Sequence, residues 1–212
     1  VIEELFQLGG SSGGARPKIL VGFNSKTEEL LYGKSNMPNG FEHWIIKFPA
    51  FNDLQDIALI EYAYNKMAQN AGIEVNEFRL FKSKKGNYFF GSKRFDRNQN
   101  EKIHLHSAAG LLHDNFRMST MDYGHLMDCA FTLEKDFNAY SKILRLATFN
   151  VLAHNRDDHS KNFSFLMDKN GKWQFAPAYD LTFSNSSYGF HSTTVKKKKK
   201  NPSLKHLTEL AK

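Results

Sequence analysis

Two rhythms of apolar residues run along this chain, and the first gives way to the second near residue 107. Ile19–Phe23 and His43–Phe48 are short apolar runs that predict strands, the second closed by Pro49. Asn24–Gly40 between them is polar and glycine-containing, a loop or hairpin. Asp53 is placed to cap a helix running to about Ala71, with Gly72 as its stop. Leu54, Ile57, Ala58, Glu61, Tyr64, Asn65 and Ala68 share one face of that helix. Phe78–Phe81 and Asn87–Phe95 read as strands around a Lys84-Lys85-Gly86 turn. From about Ser107 the period becomes helical. Lys135–His154 is the clearest helix, with Phe137, Tyr140, Leu144, Ala147, Val151 and His154 at steps of three or four. Phe163–Met167 and Lys172–Phe175 form a hairpin about Asp168-Lys169-Asn170-Gly171, and Pro202–Lys212 is helical again. The order predicts an α+β, bilobal fold: residues 1–105 as a lobe of strands and one helix, residues 106–212 as a mostly helical lobe with an embedded hairpin. A cleft between such lobes is a common ligand site.

Composition narrows the class. Of 212 residues, 41% are hydrophobic and 24% charged, ordinary for a globular protein. No apolar run is long enough for a membrane helix, and the N-terminal Glu3 and Glu4 are foreign to a signal peptide. Cys129 is the single cysteine, which excludes an internal disulfide and fits a reducing, cytoplasmic setting. Removing the run Lys196–Lys200 lowers the net charge from +7 to +2. The run reads as a solvated tail, so the charge argues little for nucleic-acid binding by the core. Both ends look cut from a longer chain.

Four groups of residues carry possible chemistry. Asn155-Arg156-Asp157-Asp158-His159-Ser160-Lys161-Asn162 follows the long helix, with Asp157 and Asn162 five apart. Protein kinases use that spacing for a base that takes the hydroxyl proton and an amide that holds Mg²⁺. A polar helix end with a solvated charge cluster has the same composition. Ala176-Pro177-Ala178-Tyr179-Asp180 lies across one hairpin, eighteen residues beyond Asn162, where a second oxygen ligand for Mg²⁺ would stand. A turn aspartate is the plain alternative. Lys47 sits inside an apolar strand and Glu61 inside an apolar helical stripe. An ion pair between them would account for both, as would a lysine that snorkels and a glutamate at the stripe's margin. Residues 9–14, Gly-Gly-Ser-Ser-Gly-Gly, make a loop whose N–H groups suit phosphate, or a linker; the Walker pattern is absent.

Taken together, the pieces Gly13-Gly14-Ala15-Arg16-Pro17-Lys18, His43–Pro49, Ser92–Arg97, Asn155–Phe165 and Ala176–Leu181 resemble the HipA family, serine/threonine kinase toxins of bacterial toxin–antitoxin systems. The resemblance covers roughly residues 9–190. It implies a protein-kinase-like fold that uses ATP and Mg²⁺. Asp157 would be the general base, with His159 and Lys161 near the transferred phosphate and Asn162 and Asp180 on the metal. Lys47, oriented by Glu61, would meet ATP phosphates together with Gly13 and Gly14, and Lys93, Arg94 and Phe95 would form the adenine hinge. Ser11 or Ser12 would be an autophosphorylation site that silences the enzyme; the paired serines are similar to the shorter HipT-type kinases. The implied partners are a helix-turn-helix antitoxin, through which any DNA contact runs, and a protein substrate, for which relatives offer an aminoacyl-tRNA synthetase. The family's small N-terminal subdomain and most of its C-terminal bundle have no counterpart in these residues. A kinase-fold interaction module without turnover and a small-molecule kinase are the rival readings.

Overall fold

Alternation along the first strand decides the layering of the N-terminal part. The computed structural model describes Ile2, Glu4, residues 16–185 and residues 187–212. In β1 (Lys18–Asn24), Ile19, Val21 and Phe23 are buried while Leu20 between them is exposed. β2 (Glu29–Tyr32) and β3 (Glu42–Lys47) flank it, both antiparallel. α1 (Ile57–Asn70) follows, then β4 (Phe78–Lys82) and β5 (Tyr88–Lys93). The five strands form one antiparallel sheet in the order β2-β1-β3-β5-β4. A small ribbon, β6 (Arg97–Asn98) with β7 (Glu101–Lys102), comes next.

One sheet face gathers Ile19, Val21, Phe23, Trp44, Ile46, Phe48, Phe81 and Phe89 into a core that also includes Ile2. Phe23, Trp44 and Phe81 meet edge to face at centroid distances of 5.1–5.8 Å, the geometry ring quadrupoles favour. Gly91 is required here, since a Cβ would lie 2.2 Å from the Phe81 ring. Across the sheet, Tyr62 of α1 packs on Phe78 at 5.3 Å. The stripe predicted for this helix is buried at Ile57, Ala58, Glu61, Asn65 and Ala68, but Leu54 precedes the helix and is exposed. Asp53 is not its cap. Its carboxylate accepts from Ala50 N–H at 2.8 Å and Arg16 Nε at 2.9 Å, so the helix starts one turn later. Gly72, at φ +73°, ends it as expected.

The chain divides into two compact units, one of residues 1–66 and 76–102, the other of residues 67–75 and 103–212. The second begins with β8 (His104–Ser107), a strand the apolar pattern did not mark, which pairs with β9 (Ser164–Met167). α2 (Ala108–Leu111), α3 (Tyr123–Glu134) and α4 (Asn138–Leu152) lie between them in sequence. β10 (Trp173–Phe175) completes the predicted hairpin with β9. The helix predicted over Lys135–His154 is α4, shortened at both ends and rotated. Lys135, at φ +54°, terminates α3 instead, and His154 is in a left-handed turn after α4. The buried face is Ala139, Ile143, Leu146, Ala147, Asn150 and Val151, while Phe137 is 76% exposed. Aromatic bulk drew the predicted stripe one step off the true face, which is lined by smaller residues and an asparagine.

Lys196–Lys200 is not a tail. β11 (Phe190–Val195) and β12 (Lys198–Lys200) form an antiparallel hairpin, with Lys196 and Lys197 at φ +52° and +65° in its two-residue turn. Asp122, the N-cap of α3, accepts from Gly124 N–H at 2.9 Å and from Lys197 N–H at 2.8 Å. The lysine ammonium groups stay exposed, so the run is charged surface on an ordered ribbon. α5 (Leu204–Leu210) closes the chain. Among the described residues no helix is long and apolar enough to cross a membrane.

Candidate active site

In the first unit, β3 and α1 bring Lys47 and Glu61 together. Odd positions of β3 face away from the aromatic core, which aims Lys47 toward the helix side of the sheet. Its ammonium donates to Glu61 Oε1 and lies 5.7 Å from the Phe90 ring centroid. Glu61 is 2% exposed, and Arg16 approaches its other oxygen at 3.8 Å. A buried carboxylate is tolerated when cations of this kind surround it. The glycine-loop residues Ser11, Ser12, Gly13 and Gly14 lie outside the described residues. Arg16, just beyond them, is fixed by Asp53.

Lys93, Arg94 and Phe95 follow one another where β5 ends. Lys93 Nζ pairs with Glu42 and reaches Glu77 at 3.7 Å, and Arg94 N–H donates to His43 O at 2.8 Å. Arg94 also grips Asp96 through two bonds, at 2.8 and 2.6 Å. Burial raises the affinity of Asp96 for a proton, but Arg94 and Arg97 outweigh it and hold the carboxyl below its usual range. Burial first, then Arg97 and Arg94, push the His43 imidazole down, against Asn100 and Asp96, which raise it. The cationic side chains of Lys93 and Arg94 are therefore engaged by acids, and their backbone N–H groups donate to Glu77 O and His43 O.

In the second unit, α4 delivers residues 155–162 as a loop whose only regular turn is a 3₁₀ turn at Ser160–Asn162. Asp157 is exposed on it while Asp158 is 1% exposed. Asn162 Nδ2 donates to Asp157 O at 2.8 Å. Tyr179 O–H donates to Lys161 O at 2.6 Å and also meets Ser164 Oγ at 2.6 Å. This bond ties the residue before Asp180 to the residue before Asn162. Asp180 itself adopts φ +54°, a left-handed conformation that aspartate tolerates better than most residues. Burial is the main cause that drives the Tyr179 hydroxyl well above its ordinary range, so it stays a donor.

These residues fit Mg²⁺ by the chemistry of their donors. Asn162 Nδ2 donates to Asp157 O, which leaves the carbonyl oxygen of the amide as the atom a hard cation would take. Asp180 supplies carboxylate oxygen. His159 and Lys161 flank Phe116: the imidazole lies edge-on at 5.5 Å and the ammonium 3.7 Å from the ring centroid. His159 Nδ1 is buried with no hydrogen-bond partner among the described residues. Phe116 belongs to a segment secured by Asp114, which accepts from Ser160 and Ser119 hydroxyls and Thr120 N–H. Burial opposes ionisation of Asp114, and those bonds overcome it, holding the carboxyl below its usual range. The sequence reading missed Asp114, Phe116 and the group behind Asp158. Only the apolar–polar position of Tyr123 and Asn150 on helix faces could have signalled that group.

A five-stranded sheet with a lysine–glutamate pair, and a largely helical unit with an aspartate–asparagine loop, define a kinase-like fold. The chain belongs to the family of HipA-like C-terminal domains, whose model matches residues 10–212. Among solved structures, it is similar to HipA of Shewanella oneidensis MR-1, from a complex with HipB and operator DNA. That match has TM-score 0.71 and 19% identity, and covers 95% of this chain and 51% of that one. It is also similar to the Helicobacter pylori proinflammatory kinase CtkA, at TM-score 0.58 and 19% identity, over 82% of this chain and 74% of that one. The chain thus spans about half the length of the Shewanella HipA. No curated protein matches the sequence significantly.

Proposed function

We propose that this chain is the kinase domain of a toxin–antitoxin system, transferring the γ-phosphoryl group of ATP to a serine or threonine hydroxyl. The observation that carries the reading is the loop geometry: Asp157 is exposed while the Asn162 amide is locked to its carbonyl oxygen. Asp157 orients the acceptor hydroxyl and takes its proton as the new P–O bond forms, and the bond to ADP breaks. Lys47, steadied by Glu61, neutralises charge on the nucleotide phosphates. Asn162 and Asp180 hold Mg²⁺, which when bound screens the phosphate oxygens. Family membership supports the toxin assignment, and the HipB in the Shewanella complex supports an antitoxin partner with a DNA-binding fold. An aminoacyl-tRNA synthetase is the substrate to try first. Autophosphorylation at Ser11 or Ser12 adds roughly −2 charge to the glycine loop and silences the kinase.

Incubation of purified protein with γ-labelled ATP and Mg²⁺, followed by mass spectrometry, tests this. Label on Ser11 or Ser12 in the parent and none in Asp157→Asn is the expected result. Unlabelled parent, or equal labelling of the variant, with and without a cognate synthetase, overturns it.

A further inference from the structure

Residues 155–159 have neither helix nor sheet to fix them, so side chains must. Asp158 is the centre of that fixing. Its Oδ1 accepts from Ser192 N–H at 2.8 Å and Thr193 N–H at 3.2 Å, both on β11. Its Oδ2 accepts from Tyr123 O–H at 2.8 Å and His191 Nδ1 at 3.1 Å. Thr193 Oγ1 donates back to Asp158 O, and Ser192 N–H donates to Arg156 O at 3.0 Å. The Tyr123 oxygen in turn accepts from Asn150 Nδ2 at 2.8 Å, and Asn150 Oδ1 accepts from Asn155 Nδ2 at 2.9 Å. One chain of bonds therefore runs from the start of the loop to its middle, through α4, α3 and β11.

Arg156 and Asp158 are both pinned to β11, and Asp157 lies between them. Asp158 is 1% exposed and Asp157 is exposed, so the two side chains leave this stretch in different directions. Burying Asp158 is thus what turns Asp157 outward. The other three groups on the Asp158 side-chain oxygens are donors, and His191 Nδ1–H completes the set as a fourth. His191 is 2% exposed, an unusual place for an imidazole unless its bond matters.

We propose that His191 and Asp158 are positioning residues for phosphotransfer: they set the direction of Asp157 without meeting substrate. This rests on the kinase reading above, and it assigns a role to the second aspartate of the loop and to a β11 histidine far along the chain. A misplacement of about 1 Å at a reacting group is worth on the order of 10²-fold in rate. Nucleotide binding does not depend on Asp157, so the loss should fall on kcat and leave the KM for ATP alone.

The test uses the whole chain with His191→Asn and His191→Leu. The asparagine nitrogen can replace Nδ1 as the donor to Asp158; leucine cannot. Expected is a fall in kcat of roughly 10- to 100-fold for His191→Leu at unchanged KM, with His191→Asn within about threefold of the parent. Hydrogen–deuterium exchange of the peptide spanning residues 155–160 should quicken in His191→Leu and not in His191→Asn. Tyr123→Phe, which removes one donor from the same oxygen, repeats the test if the leucine variant does not fold. Parent-like kcat and exchange in His191→Leu, or equal losses in the asparagine and leucine variants at matched Tm, overturn the proposal. If the parent transfers no phosphate, the kinase reading has failed, and the exchange result still decides whether His191 orders the loop.

Discussion

Replacing Asp122 by alanine should loosen two elements at once. The side chain caps α3 through Gly124 N–H and holds the lysine hairpin through Lys197 N–H and the Thr194 hydroxyl. Loss of an N-cap is worth about 1 kcal/mol. Each donor left without its partner adds about 1 kcal/mol. The sum for Asp122→Ala is about 3 kcal/mol, or a Tm lower by roughly 6–12 °C for a chain of this size. Asp122→Asn keeps the cap but cannot accept at both positions, and should lose about half as much. The acid dependence follows the same residue. Burial opposes ionisation of Asp122, yet the Lys197 N–H, Thr194 and Gly124 bonds prevail and hold its folded-state pKa below the ordinary value. A depressed carboxyl pKa contributes stability above the unfolded pKa, about 3.9, and loses it as pH falls through the folded value. Parent stability should therefore drop more steeply than that of Asp122→Asn below about pH 4. Guanidinium unfolding followed by circular dichroism at pH 7 and at several acidic values measures both. An Asp122→Ala protein within about 1 kcal/mol of the parent, with amides of β11 and β12 equally protected from exchange, would refute the reasoning.

Three further outcomes are expected. Gly91→Ala drives a Cβ into the Phe81 ring and should destabilise the first unit by about 2 kcal/mol, read from denaturant midpoints. Lys47→Met leaves Glu61 buried without its main cation; calorimetry should show ATP affinity lowered more than tenfold, with about 3 kcal/mol of stability lost. Lys197→Gly places the residue suited to φ +65° in the hairpin turn and should raise stability by about 0.5–1 kcal/mol without altering the lysines of β12.

Much of this could be read before any coordinates. The strands of the first unit announce themselves because alternation and β-branched or aromatic residues coincide, as at Ile19–Phe23. The Lys47–Glu61 pair was legible because each charge breaks an apolar pattern and needs the other. Sequence reading failed where tertiary contacts redirect a local preference. Asp53 has the right type and place for a helix cap, but Arg16, distant in sequence, claims it. Phe137 looks like core and is surface, because small residues let α4 pack closely on its other side. Five lysines look like a tail because nothing local reveals that Asp122, 75 residues earlier, will hold their turn. Spacing singled out Asp157 as the candidate base, while the role proposed for its neighbour was hidden: all four donors to Asp158 come from α3 and β11.

The interleaving of the two units has a consequence for synthesis on the ribosome. Trp44 in β3 pairs across the sheet with Lys93 in β5, and residues 67–75, assigned to the other unit, are translated between them. At about 5–20 residues per second, the β3 edge waits roughly 2–10 s for its partner strand. During that interval Trp44 and Ile46 border an open strand edge on a nascent chain. Holdase chaperones, or a neighbouring nascent chain on the same message, would meet this protein there first.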